Sequence, residues 1–444
     1  MGEERFSGYK GKVLETLLRA GAEIGDLIRV EKEGQTYEGI LIPRSEYGDD
    51  KHVVIKLKSG YNIGICITPE TRIEKFGMGE KPAFLPPPQP EQNPNLPNVA
   101  IVSTGGTIAS RVDYRTGAVR PALTASDLYS VVPELAEIAR IDAHILFSLY
   151  SENITPKHWK EIAEMAATKI EEGVNGVVIA HGTDTMSYSA AALSFALQNL
   201  PVPVIFVGSQ RSADRPSSDA ATNLKGAVTA AAKAPFAEVA VAMHETPSDT
   251  FIAIHRGTRV RKCHTSRRDA FKSVNFQPIA KVQNNEVKML VGEYNKRNGS
   301  KRLILKPEFN EKVALLKFYP GINPEIIDWY VERSYKALIL EGTGLGHVGS
   351  YCFKQIRRAV ESGVLVAMAS QCIWGRVNMN VYNQGRDLQA LGVIPLEDML
   401  PETATVKLMW IFGQTSDIEE AKRLLKTNIA GELSERTLYN GKEE

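Results

Sequence analysis

The stretch Gly176-Val177-Val178-Ile179-Ala180-His181-Gly182-Thr183-Asp184-Thr185-Met186 passes from a continuous apolar run, through a tight polar turn, into a helical pattern at Ala190, Leu193 and Leu197. A short run that is apolar at every position suits a strand buried on both faces of a parallel sheet. Open parallel sheets gather their ligand sites at the carboxyl ends of the strands. Thr183 places a hydroxyl beside the Asp184 carboxylate at such an end. Taken alone, the pair serves equally well as a helix cap, because Thr and Asp satisfy the free N–H groups of a first turn.

Working outward, the same arrangement recurs. Apolar strands are expected at 99–102, 143–147, 204–207 and 239–242, with amphipathic helices between them. One of those helices has Thr155 as its N-cap, Pro156 in its first position and a stripe of Trp159, Ile162, Ala163, Ala166 and Ile170. Strict alternation of this kind predicts a parallel sheet covered on both faces. The turns that follow the strands are Ser103-Thr104-Gly105-Gly106-Thr107-Ile108-Ala109, Tyr150-Ser151-Glu152-Asn153, His181-Gly182-Thr183-Asp184 and Gly208-Ser209-Gln210-Arg211. One capped helix is ordinary, but four hydroxyl-rich turns on one sheet edge make a pocket. Gly105-Gly106 lets backbone approach a ligand while presenting Thr107. A phosphate cradle is the competing reading of that turn, which lacks the Gly-Lys-Ser/Thr ending of a P-loop.

The chain divides into an α/β unit over 98–308, a smaller α/β unit over 309–444 and a leading region over 1–80. The smaller unit has strands expected at 313–316, 337–340 and 364–369, and the leading region carries short alternating runs separated by Gly34, Gly48-Asp49-Asp50 and Ser59-Gly60. Such spacing predicts a small β-barrel, read as a docking or recognition element or as a spacer. Residues 81–97 are dense in proline and form a semi-rigid linker. A chain of 444 residues is too long for one core, which agrees with this division. A net charge of +1 provides no overall field to draw nucleic acid. Cys66, Cys263, Cys352 and Cys372 form no C-x-x-C pair, no histidine has metal-ligand spacing, and no apolar run reaches membrane-spanning length. These features lead us to expect a soluble cytoplasmic protein without a metal site.

Thr104-Gly105-Gly106-Thr107-Ile108-Ala109 and His181-Gly182-Thr183-Asp184-Thr185-Met186 resemble the two signature motifs of the bacterial-type L-asparaginase/glutaminase family. The resemblance covers roughly 98–430 and implies an asparaginase-like large domain with a smaller C-terminal α/β domain. It implies Thr107 as the first-motif nucleophile, and Thr183, Asp184 and Lys262 as the activating triad of the second threonine. Tyr114, from the loop after the first motif, would assist. Lys262 lies in Val260-Arg261-Lys262-Cys263-His264-Thr265, which is similar to the family's lysine segment. Ser151 and Glu152 fall at the positions that hold the substrate's α-amino and α-carboxylate groups, although many members carry Gln where this chain has Glu152. The glycines Gly106 and Gly182 would line the substrate and offer N–H groups to an oxyanion.

Elementary chemistry constrains this reading. A threonine hydroxyl is a weak nucleophile and needs a base. Lys262 can be that base only when neutral, which requires burial to lower its pKa by about 3 units, roughly 4 kcal/mol, against the pull of Asp184. Otherwise it acts as an electrostatic and proton-relay partner. An alternative places Lys262 among the charges of a basic surface hairpin with Arg256, Arg259, Arg261, Arg267 and Arg268.

The leading region and linker, with Ser110-Arg111-Val112-Asp113-Tyr114-Arg115-Thr116-Gly117, are similar to the D-subunit branch of the archaeal glutamyl-tRNA(Gln) amidotransferases. That resemblance implies ammonia release from glutamine or asparagine, no cofactor in this chain, and a homodimeric core. It also implies a partner E subunit that binds tRNA(Gln) and uses ATP with magnesium. Three other readings stand beside it. One is a free-standing L-asparaginase, and one is a non-catalytic RNA-binding protein using the barrel and the basic hairpin. The third is a nucleotide-binding oxidoreductase built on Gly344-Leu345-Gly346-His347-Val348-Gly349, although no acid follows the next strand to hold a ribose.

Overall fold

The computed structural model describes residues 6, 8–44, 49–57, 62–78, 93–106, 110–112, 119–121, 132–211 and 218–436. Thr107, Tyr114 and the linker as far as residue 92 lie outside the described residues.

Helix α1 (Gly11–Arg19) opens the chain and is followed by strands β1 (Asp26–Lys32), β2 (Gln35–Leu41), β3 (His52–Lys56), β4 (Asn62–Cys66) and β5 (Arg72–Met78). They form an antiparallel sheet in the order β4-β3-β2-β1-β5, with no β4–β5 pairing among the described residues. Val13 and Leu17 of α1 pack with Ile28, Val30, Leu41, Val53 and Ile55, so the helix covers the apolar face of the expected small barrel. Strand β5 has no clear signal in the sequence. Its alternate residues Phe76 and Met78 are exposed, so it lacks the buried alternation that marks the other strands.

The large unit carries an eight-stranded sheet among the described residues. Its parallel part is β6 (Asn98–Ser103), β7 (Arg140–Ile145), β8 (Gly176–Ala180), β9 (Val204–Val207) and β10 (Val239–His244), in the order β7-β6-β8-β9-β10. Alternate residues of these strands feed two cores. Val99, Ile101, Val178, Ile205 and Val207 meet Leu224, Ala227 and Val228 of helix α4 (Ala220–Lys233), which follows two others in the chain. Ala100, Val102, Val177, Ile179 and Phe206 face those two, α2 (Pro156–Glu171) and α3 (Met186–Ala196). Thr155 and His158 cap α2 reciprocally, Thr155 N–H donating to His158 Nδ1 at 3.0 Å. Burial on both faces explains why β8 and β9 read as unbroken apolar runs, whereas the edge strand β7 carries Arg140, Asp142 and His144.

Beyond β10 the sheet departs from the expected parallel pattern. Strands β11 (Ile252–Arg256), β14 (Ala280–Gln283) and β15 (Glu286–Met289) extend it antiparallel, in the order β10-β11-β14-β15. The connection over 245–251 is too short for the dozen or so residues of a parallel crossover, so the chain must turn back. Between β11 and β14 stands a separate hairpin, β12 (Val260–Lys262) paired with β13 (Phe271–Ser273).

The smaller unit is a parallel sheet of β16 (Val313–Lys317), β17 (Ala337–Gly342), β18 (Leu365–Ser370) and β19 (Ile394–Pro395), in that order; β19 adds to the three strands expected from the sequence. Its helices are α5 (Glu325–Glu332), α6 (Phe353–Glu361), α7 (Asn383–Ala390), α8 (Pro401–Gln414) and α9 (Ile418–Lys426). Helix α3 is apolar all round because it lies between the large sheet and α8, where Phe195 stacks on Trp410 at 5.9 Å. The two α/β units therefore share one apolar seam. No helix among the described residues is long and apolar enough to cross a membrane.

Candidate active site

The four turns do meet. Thr104 donates to Ala180 O through both its N–H and its Oγ1, each at 3.0 Å, which ties the end of β6 to the end of β8. Leu149 N–H donates to Thr104 O at 3.1 Å and brings in the turn after β7. Gly106, at φ +82°, leads toward Thr107; a Cβ there would lie 2.6 Å from Gly182 N and 2.8 Å from Gly182 Cα. The two motifs thus touch backbone to backbone, and the left-handed φ and the missing side chain are both required. A Cβ on Gly182 would in turn meet Ser151 Cβ at 2.9 Å, and one on Gly208 would meet Thr183 Cγ2 at 2.8 Å.

Ser151 is 3% exposed and its Oγ accepts from Asp184 N–H at 3.2 Å. Thr185 Oγ1 donates to Ser151 O at 2.6 Å, so a third hydroxyl fixes the turn. Sequence reasoning gives Thr185 no role of its own; its one signal is a place at the entrance to a helix, which every cap shares. Glu152 follows Ser151 in a single 3₁₀ turn and is exposed.

Lys262 arrives from β12. Its Nζ donates to Thr183 Oγ1 at 2.9 Å and pairs with Asp184 Oδ1 at 2.7 Å. The lysine side chain is 14% exposed whereas that of Asp184 is 67% exposed, so the stem is sheltered and the carboxylate faces outward. Lysine, threonine and aspartate from two distant segments therefore come together, beside Ser151 and near the Gly105-Gly106 turn. An amino group so placed holds the Thr183 oxygen within a proton-transfer path.

Beneath the site, His181 is fully buried, its Nδ1 lies 2.6 Å from Gly182 O, and burial pushes its pKa down to about 4. It stays neutral near pH 7 and supports the turn. His144 and His244 bind side chains as structural histidines do, His144 Nε2 with Asp142 at 2.7 Å and His244 Nδ1 with Asn223 at 2.6 Å.

The arginines of the basic segment are each paired with a carboxylate. Arg256 pairs with Glu238, Arg261 with Glu402, Arg267 with Asp269 and Arg268 with Asp249, while Arg259 is buried against Asp398. The Gly344 turn closes on itself through Thr343 N–H to His347 O at 2.9 Å, and a Cβ on Gly346 would meet Val377 Cγ1 at 2.7 Å. Gly346 thus serves packing inside the smaller unit, and Gly344, at φ +49°, serves the turn.

Comparison with known proteins covers each part. The family description "Asparaginase, N-terminal" matches residues 98–293, "Glutaminase/Asparaginase C-terminal domain" matches 312–425, and "GatD N-terminal domain" matches 22–76. Two relatives are each named as the D subunit of a glutamyl-tRNA(Gln) amidotransferase. The one from Methanopyrus kandleri is 51% identical over 98% of this chain and 97% of its own length. The one from Pyrococcus furiosus is 51% identical over 97% of this chain and 99% of its own length. The solved thermostable L-asparaginase from Thermococcus kodakarensis superposes with a TM-score of 0.68 at 33% identity, over 76% of this chain and 100% of its own.

Proposed function

The chain belongs to the family of glutamyl-tRNA(Gln) amidotransferase D subunits, built on the asparaginase fold, and from that membership we propose that it releases ammonia from glutamine or asparagine for transfer by a partner. The observation that most supports this reading is Lys262 Nζ lying 2.9 Å from Thr183 Oγ1 and 2.7 Å from Asp184 Oδ1. That group lies beside the turn that leads to Thr107.

In the proposed reaction, Thr107 Oγ adds to the amide carbon and its proton passes, with help from Tyr114, to the leaving nitrogen. Backbone N–H groups of the Gly106 and Gly182 turns hold the oxyanion until ammonia departs and a threonyl ester remains. Water then adds to the ester. Its proton is relayed through Thr183 and the Lys262 amine to the Thr107 oxygen as the ester bond to that oxygen breaks and the free acid leaves, and Asp184 holds the lysine in register. Ser151 and Glu152 take the α-amino and α-carboxylate groups of the substrate.

The ammonia would pass to a tRNA-binding E subunit that uses ATP and magnesium to amidate glutamate esterified to tRNA(Gln). The reaction would take place in the cytoplasm, with a homodimer of this chain at the core. Against a free-standing L-asparaginase stands the unit at 22–76, which matches "GatD N-terminal domain". The test is ammonia release from glutamine and from asparagine by the purified chain, alone and with the co-expressed partner and glutamylated tRNA(Gln). Release that rises with partner and tRNA is expected; no release from either amide under any condition would overturn the proposal.

A further inference from the structure

Lys262 is carried by a short ribbon. The β12–β13 ribbon has only three facing pairs, Val260 with Ser273, Arg261 with Lys272 and Lys262 with Phe271. Two-stranded ribbons are marginal unless something else holds them. Here Val260, Ala270 and Phe271 seat the ribbon in the large unit's core, and its root is held on the smaller unit.

Arg259 precedes the ribbon and is 1% exposed. Its Nη1 donates to Asp398 Oδ2 at 2.9 Å, its Nε to Gly431 O at 2.8 Å and its Nη2 to Ser434 Oγ at 2.7 Å. Asp398 also has no exposed side-chain surface, and its second carboxylate oxygen accepts from Ser434 N–H at 3.0 Å. The other root ends at the same residue. Val274 N–H donates to Arg259 O at 2.8 Å, and Asn275 Nδ2 donates to Asp398 O at 3.2 Å. Asn275 is further fixed by a reciprocal pair of bonds with Gly375, both at 2.8 Å. One aspartate therefore gathers both ends of the hairpin that carries Lys262.

From Arg259 to Lys262 is three residues, roughly 10 Å of extended chain at about 3.3 Å per residue. A tilt at the root is carried directly to Nζ, whose two contacts leave little tolerance. We propose that Arg259 and Asp398 are positioning residues, an interdomain ion pair that anchors both roots of the β12–β13 hairpin and so sets Lys262 against Thr183. The proposal rests on the assignment of Lys262 made above.

The test is steady-state ammonia release by the full chain with glutamine and with asparagine, comparing Asp398→Asn, Arg259→Lys, Lys262→Ala and Leu338→Ala. Leu338→Ala lies in the smaller unit's own core and serves as a destabilised variant that leaves the hairpin root alone. Misplacement by about 1 Å is expected to lower kcat by roughly 10- to 100-fold in Asp398→Asn and Arg259→Lys. KM should stay within about twofold, because lysine placement acts on the chemical step rather than on substrate capture. Leu338→Ala should keep its kcat per folded molecule despite a lowered melting temperature. If Asp398→Asn does not fold, Arg259→Lys carries the comparison, since it keeps a buried cation and loses part of the bond set. Unchanged kcat in the foldable variants, with Lys262→Ala inactive, would overturn the proposal. So would an equal kcat loss in Leu338→Ala. An active Lys262→Ala would instead overturn the assignment of the lysine.

Discussion

Replacing Gly106 by alanine tests whether contact between the two motifs builds the site. The new Cβ would stand 2.6 Å from Gly182 N and 2.8 Å from Gly182 Cα. Ordinary contact needs about 3.5 Å, so the turns must part by about 1 Å. Both neighbours are backbone, so no rotamer change can relieve the clash. A non-glycine residue held at φ +82° adds conformational strain of about 1–2 kcal/mol. Overpacking adds about 1–3 kcal/mol, so the variant should lose about 2–5 kcal/mol in all. The same displacement moves the Thr107 segment relative to Thr183, and about 1 Å of misplacement in a catalytic group costs roughly 100-fold in rate. Gly173→Ala is the matched comparison, because Gly173 also has φ +87° but nothing lies within 4 Å of its would-be Cβ. Thermal unfolding and ammonia release should be measured on both. Gly173→Ala should show the strain alone, with full activity. A Gly106→Ala enzyme whose kcat/KM stays within about threefold of Gly173→Ala would refute the reasoning.

Three further outcomes are expected. Thr183→Val removes the hydroxyl that Lys262 holds while nearly keeping its shape, and should lower kcat by about 10³-fold or more, equivalent to about 4 kcal/mol, as should Thr107→Ala; wild-type turnover in either, measured as ammonia release, would contradict their roles. Burial pushes His255 down to about 3 and His181 down to about 4, both from 6.5. The unfolded chain therefore binds more protons than the folded one below about pH 6.5, and stability in urea should fall as the pH drops from there toward 4, by about 1.4 kcal/mol per pH unit for each histidine. His255→Asn should flatten that slope by about one proton, and an unchanged slope would show that His255 is not held neutral. Removing residues 1–80 should spare basal amide hydrolysis and weaken the response to partner and charged tRNA, read as the ratio of ammonia release with and without them; an unchanged ratio would make the leading unit a spacer.

What the sequence by itself determined was local. The continuous apolar runs at 177–180 and 204–207, the Thr155-Pro156 start of α2 and the glycine-rich turn before Thr107 each state their structure within a few residues. Backbone period and turn chemistry are short-range properties, so they can be read without neighbours. The alternation of those elements then fixed the layered α/β plan and put four polar turns on one edge. Tertiary structure decided what depends on residues far apart in the chain. An arginine is written identically whether it faces water or an aspartate 139 positions away, so Arg259 reads as one more surface charge although it is buried on Asp398. Strand β5 shows no apolar alternation because its exposed side mixes Arg72 and Glu74 with Phe76 and Met78, and the antiparallel edge of the large sheet follows from a loop too short to cross over. Only packing of the whole chain brings Gly106 against Gly182 and Lys262 against Thr183, because contacts between distant segments are chosen by the summed burial of every element between them.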